Sequence, residues 1–491
     1  MYIVMVSAEL APVAKVGGLG DVVFGLSREL EVRGHSVEII LPKYDCMWYD
    51  EIWGLHKIWE ELSVPWYGGA VSCSVWFGFV HGRKCFFIEP HSQDNFFNRG
   101  SFYGFHDDSM RFTFFSKAAM EFLLQSNKRP DIIHCHDWQT GLVPVLLFEI
   151  YNRLGMENQR VVYTIHNFKH QGVTGESVLW ASGLCRPEYY LHHDRLLDNF
   201  NQGALNMMKG GVVYSNHVTT VSPHHAWEAR YTDQGHGLSQ TLATHHYKFT
   251  GVLNGLDYDV WNPEIDRFIP NHYDVWQIEE KYGNKECLRE RMWLRKEFKP
   301  LIGYVGRLDA QKGVHLIQHA MFYCLEHGAQ FVLLGAGGED GINDHFYHLK
   351  HYLNENQDCH LEIGFNEQLA HQIYAGCDMM IVPSLFEPCG LTQMIAMRYG
   401  SVPVVRAVGG LVDTVFDRDN SDKPPEERNG YVFHDADFLG LESALSRAIG
   451  LWKDYPKEFR RLMTNGMAND LSWAQSGEHY IGIYESTRQK W

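Results

Sequence analysis

A β-rich run at residues 3–7 passes through the glycine loop Lys15–Gly20 into a helical pattern over 21–33, and a second strand-like run follows at 37–41. That order constrains the fold more than any other feature of the chain. Parallel strands need a long crossover, usually a helix packed on the sheet, so strand–loop–helix–strand implies a βαβ unit and a parallel sheet. Buried-strand runs at 131–135, 161–165 and 218–221, with helical segments at 110–125 and 141–154, extend the pattern. The pattern then restarts. A strand run at 301–305 leads through a loop into a helix over 313–327, followed by strands at 331–334 and 361–363, a helix at 367–375 and a strand at 379–382. A chain of 491 residues is too long for one ordinary hydrophobic core. Two α/β domains are therefore expected, at residues 1–250 and 251–470, with a last helix within 471–491 packing back on the first. The polar stretch 262–299 has no sustained strand pattern and reads as a connection, residues 419–428 read as a surface loop, and terminal helices are expected at 442–452 and 473–489.

Charge narrows the partners. The net charge is −17, from 43 basic and 60 acidic residues, which disfavours nucleic acid or an anionic membrane as the main partner. A neutral polymer fits, given a local positive pocket for any phosphate. Ten cysteines are scattered without a C-x-x-C pair, so zinc ribbons and thioredoxin-like chemistry lack support and free thiols are expected. The first residues carry no basic n-region, and no apolar run approaches a membrane span. The expected location is the cytoplasm.

Three segments carry chemistry. In Lys15-Val-Gly-Gly18-Leu-Gly-Asp21, glycines at a strand-to-helix turn let backbone N–H groups approach a ligand, the helix start favours an anion, and Lys15 adds a point charge. The loop matches neither the P-loop nor the dinucleotide pattern and would serve equally as structural punctuation. The second segment, Gly306-Arg307-Leu-Asp-Ala-Gln-Lys312-Gly313, places two cations five residues apart between a strand and a helix. Aimed at a leaving diphosphate, they can supply the stabilisation that a metal gives elsewhere; a solvated basic helix start is the plainer alternative. The third, Pro383-Ser-Leu-Phe-Glu387-Pro-Cys389-Gly390-Leu391-Thr392-Gln393, puts Glu387 where open α/β sheets bind ligands. A carboxylate there can grip sugar hydroxyls or favour an oxocarbenium charge.

With these segments in order, the sequence resembles the bacterial glycogen synthases and plant starch synthases of glycosyltransferase family five, from Tyr2 to the last helix. His134-Cys-His-Asp137-Trp138, Thr164-Ile-His166-Asn167, Val252-Leu-Asn254-Gly255-Leu-Asp257 and Gly409-Gly-Leu-Val-Asp-Thr414 complete the likeness. The resemblance implies a GT-B arrangement of two Rossmann-like doubly wound domains facing a deep cleft that holds the active site. It also implies ADP-glucose as donor, an α-1,4-glucan or maltooligosaccharide as acceptor, and retention of the α configuration. No metal or other cofactor is expected, because Arg307 and Lys312 stand at a helix start with no metal-ligand set near the donor loop. By matching motif, Lys15, Gly18, Arg307 and Lys312 would hold the diphosphate, and Glu387 with Cys389, Gly390 and Leu391 would hold glucose and phosphate oxygens. Asn254, Gly335 and Thr392 would belong to the donor site, with Phe365 stacking on adenine. His166 would line the reacting sugar; Tyr103, Asp137, Trp138 and Asn167 would line the acceptor. Lys15, His166, Arg307, Lys312 and Glu387 are the catalytic candidates.

Two departures stand out. Ile395 occupies the position of a second Glu found in wider retaining families, as family five does. After His166-Asn167 the chain reads Phe168-Lys-His-Gln171-Gly172, closer in character to the soluble plant types three and four. The His134–Asp137 group and His192-His193-Asp194 suggest metal, but alternate residues on a strand face opposite ways, so structural or substrate-lining roles are preferred for the former. Asp-x-Asp pairs at 257/259, 417/419 and 435/437 lie too late for a metal-dependent single-domain enzyme. The segment from Gly335 to Gly341 has Asp340 where a dinucleotide loop needs glycine. Five tryptophans from Trp48 to Trp76 suit hairpin or core packing better than sugar stacking. The competing functions are a transferase using UDP-glucose or a small acceptor, and a glucan-binding or initiation scaffold.

Overall fold

A computed structural model of the chain describes residues 1–337 and 340–489. Gly338 and Glu339 of the 335–341 loop, and Lys490 and Trp491 of the closing segment, lie outside the described residues. The chain divides into two compact units, Met1–Gly255 with Trp473–Trp491, and Leu256–Ser472.

The first unit is built on a nine-stranded sheet. Its strands are β1 (Tyr2–Val6), β2 (Ser36–Pro42), β3 (Ile52–Trp66), β4 (Gly69–Val80), β5 (Arg83–Pro90), β6 (Ile132–His136), β7 (Arg160–Ile165), β8 (His217–Thr220) and β9 (Phe249–Gly251). The spatial order is β9-β8-β7-β6-β1-β2-β5-β4-β3. Every pairing is parallel except β3 with β4 and β4 with β5. Ile3 lies between Val37 and Ile132 in register, and all three are buried. Such strands, covered on both faces, read as near-continuous apolar runs, which is why β1 stands out in the sequence and why the buried His134, His136 and Thr164 of β6 and β7 interrupt an otherwise apolar pattern. The strand order reverses between β1 and β6, and the crevice at such a reversal is where open α/β sheets bind ligands.

The tryptophan-rich segment is the β3–β4 hairpin. Trp66 is buried and Trp59 and Trp76 are half-buried, while Trp48 and Trp53 are exposed. The closing helix Trp473–Gln489 lies on the first unit. A Cβ on Gly25 would come within 1.9 Å of the Trp473 indole, so that helix–helix contact requires glycine. Deeper in, Tyr484 Oη lies 2.8 Å from His134 Nδ1.

The second unit carries a six-stranded, all-parallel sheet. Its strands are β10 (Leu301–Arg307), β11 (Gln330–Ala336), β12 (Cys359–Ile363), β13 (Met379–Val382), β14 (Val402–Arg406) and β15 (Tyr431–Phe433). They run in the order β12-β11-β10-β13-β14-β15, the dinucleotide-fold order, which reverses between β10 and β13.

The stretch 262–299 is more than a connection. It contains the helix Lys281–Arg291, docked through its cations. Lys281 Nζ donates to the carbonyls of Tyr374 (3.0 Å) and Ala375 (2.8 Å) and to Ser401 Oγ (3.0 Å). Lys285 Nζ sits 2.6 Å from Asp378 Oδ2. A polarity reading takes such lysines for solvated groups; their partners lie about 90 or more residues downstream and are invisible locally.

Candidate active site

In the first unit the loops after β1 and β6 flank the strand-order reversal. The loop after β1 is fixed by Glu9, whose Oε2 accepts from the backbone N–H groups of Val16 (2.9 Å) and Gly17 (3.0 Å). Its Oε1 accepts from Tyr103 Oη at 2.8 Å. This buried carboxylate therefore sets the loop that carries Lys15, and it ties Tyr103 to that loop. The ammonium of Lys15 pairs with Asp21 at 2.8 Å. Gly18 opens the helix Gly18–Val32, and a Cβ at Gly17 or Gly18 would meet nothing within 4 Å. The glycines are thus not required by the protein's own packing there; lacking a Cβ, they leave the backbone open to a ligand at a helix start, where an anion is favoured, with the Gly17 N–H already given to Glu9. Gly20 differs, since its Cβ would come within 3.1 Å of Ala11 N.

After β6, Asp137 takes a left-handed backbone conformation, φ 55°, unusual outside glycine. This turns its carboxylate back toward the strand ends. Oδ1 accepts from the N–H of His166 at 2.6 Å and of Asn167 at 3.4 Å, so three of the acceptor and sugar candidates form one cluster. Burial pushes the Asp137 carboxyl up to about 7, against the two N–H donors and with help from the nearby Glu9 charge. Trp138 packs edge-on to Phe112 at 5.5 Å. Its indole also occupies the space over Gly172, where a Cβ would stand 2.4 Å from the ring. Gln171 spans the segment, donating to the carbonyls of Phe168 and His236, both at 2.9 Å.

Three histidines stack beneath this cluster. His134 and His136 ring centroids are 4.2 Å apart, and those of His136 and His166 5.3 Å. His136 Nδ1 lies 3.1 Å from His166 Nε2, while His136 Nε2 is buried without a partner. A buried N–H without an acceptor costs its full desolvation, and an idle lone pair is better tolerated. That favours His136 donating from Nδ1, which leaves the proton of neutral His166 on its own Nδ1. Burial lowers His134 and His166 to about 3 and His136 well below the usual imidazole range, so all three are neutral near pH 7. His134 is satisfied by Tyr484 and by Thr164 Oγ1 at 2.6 Å. Among the described residues, the group with metal-ligand spacing is His192-His193-Asp194, all exposed. Asn254, near the end of the first segment of this unit, is buried with its Oδ1 unpartnered.

In the second unit the loops after β10 and β13 flank the other reversal. Arg307 ends β10 with its side chain 62% exposed and 2.9 Å from Asp309 Oδ2. Asp309 in turn caps the turn at Lys312 N, 3.1 Å away. Gly313 follows in the left-handed region, φ 71°, where a Cβ would stand 2.4 Å from the Pro383 carbonyl. This close approach brings the two loops together. Lys312 Nζ lies 2.5 Å from Glu387 Oε2, which also accepts from Ser384 Oγ at 2.8 Å.

The 383–390 loop is held from both sides, by Leu385 N donating to the Gln311 carbonyl (2.8 Å) and by Arg406 Nη2 donating to the Leu385 carbonyl (2.7 Å). From below, Gly409 (φ 50°) and Gly410 press against it. A Cβ on either would come within 1.9 Å of the Glu387 carbonyl or 2.2 Å of the Cys389 carbonyl, respectively. Cys389 is buried, Gly390 is left-handed with φ 78°, Leu391 precedes the helix and Thr392 begins it. Gly335 lies inside β11 with no room for a Cβ, its carbonyl accepting from Gly364 N at 2.9 Å. Phe365, on the loop after β12, is 91% exposed.

Glu9 and Arg406 stand outside every motif read from the sequence; His136 was read there only as one of the His134–Asp137 group with structural or substrate-lining roles, and Gln311 and Ser384 stood inside motifs without a role of their own. Glu9 carried a usable signal, a lone carboxylate between a strand end and a glycine loop, whereas Arg406 carried none.

Residues 2–244 match the family model described as the starch synthase catalytic domain, and residues 290–462 match glycosyl transferases group 1. Glycogen synthase 1 of Synechococcus sp. (strain JA-3-3Ab) is 65% identical over the whole of both chains. Glycogen synthase 2 of Methylococcus capsulatus is 65% identical over 99% of this chain and all of that one. The chain belongs to the glycogen and starch synthase family. The catalytic domain of starch synthase IV from Arabidopsis thaliana, bound to ADP and acarbose, matches with a TM-score of 0.96 at 44% identity, over 100% of this chain and 99% of that one. As a member of this family the protein is a glucosyltransferase, and its two units are the Rossmann-like domains of a GT-B enzyme. No described helix is long and apolar enough to cross a membrane.

Proposed function

We propose that this synthase moves glucose from ADP-glucose to the non-reducing end of an α-1,4-glucan, retaining the α configuration and using no metal. The observation that carries this reading is the meeting of Lys312 and Glu387, with Arg307 nearby in sequence, where the second sheet reverses its strand order. The Arabidopsis relative's ADP and acarbose support an adenine nucleotide and a glucan-like ligand. Arg307 and Lys312 face the charge that develops on the diphosphate as the glycosidic bond breaks. Glu387, freed from full pairing with Lys312 once phosphate competes for the ammonium, favours positive charge at the anomeric carbon. Exposed Phe365 offers a face to adenine, and the idle Asn254 Oδ1 is a ready acceptor.

In the first unit, Lys15 and the helix-start N–H of Gly18 bind phosphate oxygens, and His166 lines the sugar. Tyr103, Asp137, Trp138 and Asn167 line the acceptor, with the Asp137 carboxylate accepting a hydrogen bond from a sugar hydroxyl. A cytoplasmic location and indifference to nucleic acid fit a polymerase acting on a stored neutral glucan. The test is transfer from ADP-glucose to maltotetraose in excess EDTA, with the new linkage read by proton NMR. An α-1,4 product at an undiminished rate is expected; a β linkage, or activity that collapses and returns with Mg²⁺ or Mn²⁺, refutes it.

A further inference from the structure

A cavity of about 410 Å³ opens in the second unit and shares no residue with the site above. Arg267 and Phe268 form one side, Cys287, Leu288 and Arg291 of the helix Lys281–Arg291 another, and Gln372 the end. The wall is pre-ordered, because Arg291 Nη1 donates to Gln372 Oε1 at 2.5 Å and Gln372 Nε2 donates to the Phe268 carbonyl at 3.0 Å.

Its charge is unbalanced. Neither Arg267 nor Arg291 has a carboxylate partner among the described residues, although the chain carries a net charge of −17. The carboxylates closest in sequence are engaged elsewhere. Asp266 is held by His371 Nδ1 (2.7 Å) and Tyr399 Oη (2.5 Å), Glu264 by Arg398 (3.2 Å), Glu286 by Arg289 (2.7 Å) and Glu290 by Lys296. An arginine in the last turn of a helix also complements the helix dipole. That accounts for Arg291 but not for Arg267, which stands on a loop with its guanidinium 4.7 Å from the Phe268 ring centroid.

We propose that this cavity binds a small phosphate monoester, its phosphate held by Arg267 and Arg291 and its body against Phe268. Guanidinium forks match the oxygens of a phosphate better than a point charge does. The volume sits at the lower end of the range for small-ligand pockets, which suits an ester of hexose size rather than a bare ion.

Cys287, exposed on the cavity wall, provides the reporter, and exposed Cys185 of the first unit provides the reference. The full enzyme is held in saturating ADP so that phosphate entering the donor site does not register. Alkylation of both cysteines by iodoacetamide is then followed by peptide mass spectrometry. Fructose 6-phosphate at ten times its dissociation constant should slow Cys287 about tenfold by mass action and leave Cys185 unchanged. Inorganic phosphate should need a higher concentration, and fructose should do nothing. Arg267→Gln, which alters only an exposed loop, and Arg291→Gln should each abolish the protection, with Arg291→Lys recovering part of it. Absence of protection by fructose 6-phosphate, or protection that survives both Gln variants, overturns the proposal.

Discussion

Lys312 and Glu387, 75 residues apart in the chain, meet as an ion pair of 2.5 Å with the carboxylate buried. The pair holds the Lys312 ammonium in place where the second sheet reverses its strand order. It also makes each partner costly to remove alone, since a buried charge without its counter-charge is strongly destabilising. Lys312→Ala should lower kcat/KM for the donor by about 2–4 kcal/mol, the loss typical of a positioned transition-state donor. It should also lower stability by more than Glu387→Gln does. The double variant should be more stable than the sum of the single losses, by about 0.5–3 kcal/mol of coupling. Urea unfolding of the four proteins measures this; strict additivity would mean that the pair does not form.

Asp137 links stability to pH. Its folded value of about 7 lies above the value of about 3.9 for an unfolded aspartate. The native state therefore binds more protons than the unfolded state between those values. The contribution is fully present below about pH 4 and lost as pH rises through about 7. Asp137→Asn keeps an oxygen for the N–H groups of His166 and Asn167 and removes the titration. The stability of the variant relative to the parent should therefore rise from pH 5 to pH 8, as read by chemical denaturation. A difference that is constant with pH would show an ordinary carboxylate.

The chain's order of strands, loops and helices was legible because parallel strands covered on both faces tend to continuous apolar runs; β1 and β13 are such runs, and β6 and β7 come close, broken by His134, His136 and Thr164. The short strands β14 and β15 escaped notice because their runs are brief; the helix Pro456–Ala468 escaped it although Phe459, Leu462, Met463, Gly466 and Met467 are buried at helical spacing. Loop motifs placed Lys15, Arg307, Lys312 and Glu387 at strand ends. They could not show that Lys312 pairs with Glu387, that Glu9 pins the Lys15 loop, or that Gly409 and Gly410 lie directly under the Glu387 loop. The Lys312–Glu387 and Tyr103–Glu9 contacts join segments 75 and 94 residues apart, which no local pattern encodes, whereas Glu9 reaches Val16 and Gly17 only seven and eight residues along the chain.

The glycines separate into two kinds. Gly18→Ala meets no atom within 4 Å and should change stability by less than about 1 kcal/mol, while weakening donor binding by filling space that a phosphate would occupy. Gly409→Ala forces a Cβ to 1.9 Å from the Glu387 carbonyl at φ 50°. It should cost more than about 3 kcal/mol of stability through clash and strain and lower kcat by displacing Glu387. Thermal unfolding and donor-dependent rates on both variants decide it. A Gly409→Ala enzyme with parental stability would contradict the packing described.

His136 acts on His166 through a single hydrogen bond. His136→Phe keeps the stacking surface and deletes the donor. The expected result is a fall in kcat with donor KM nearly unchanged, because the bond orients His166 rather than binding nucleotide. A change in KM alone would assign His136 to donor binding. In the parent enzyme kcat should show no ionisation attributable to His166 near pH 6.5, since burial holds it neutral down to about 3.

Initial rates with ADP-glucose and UDP-glucose on maltooligosaccharides of graded length test the central claim most directly. A glycogen-synthase-type transferase with an adenine-stacking Phe365 should elongate maltotriose and longer chains one glucose at a time from ADP-glucose, at rates far above those with UDP-glucose. Phe365→Ala should narrow that preference. Equal or faster elongation from UDP-glucose, or transfer to a small acceptor in place of the glucan, would contradict it.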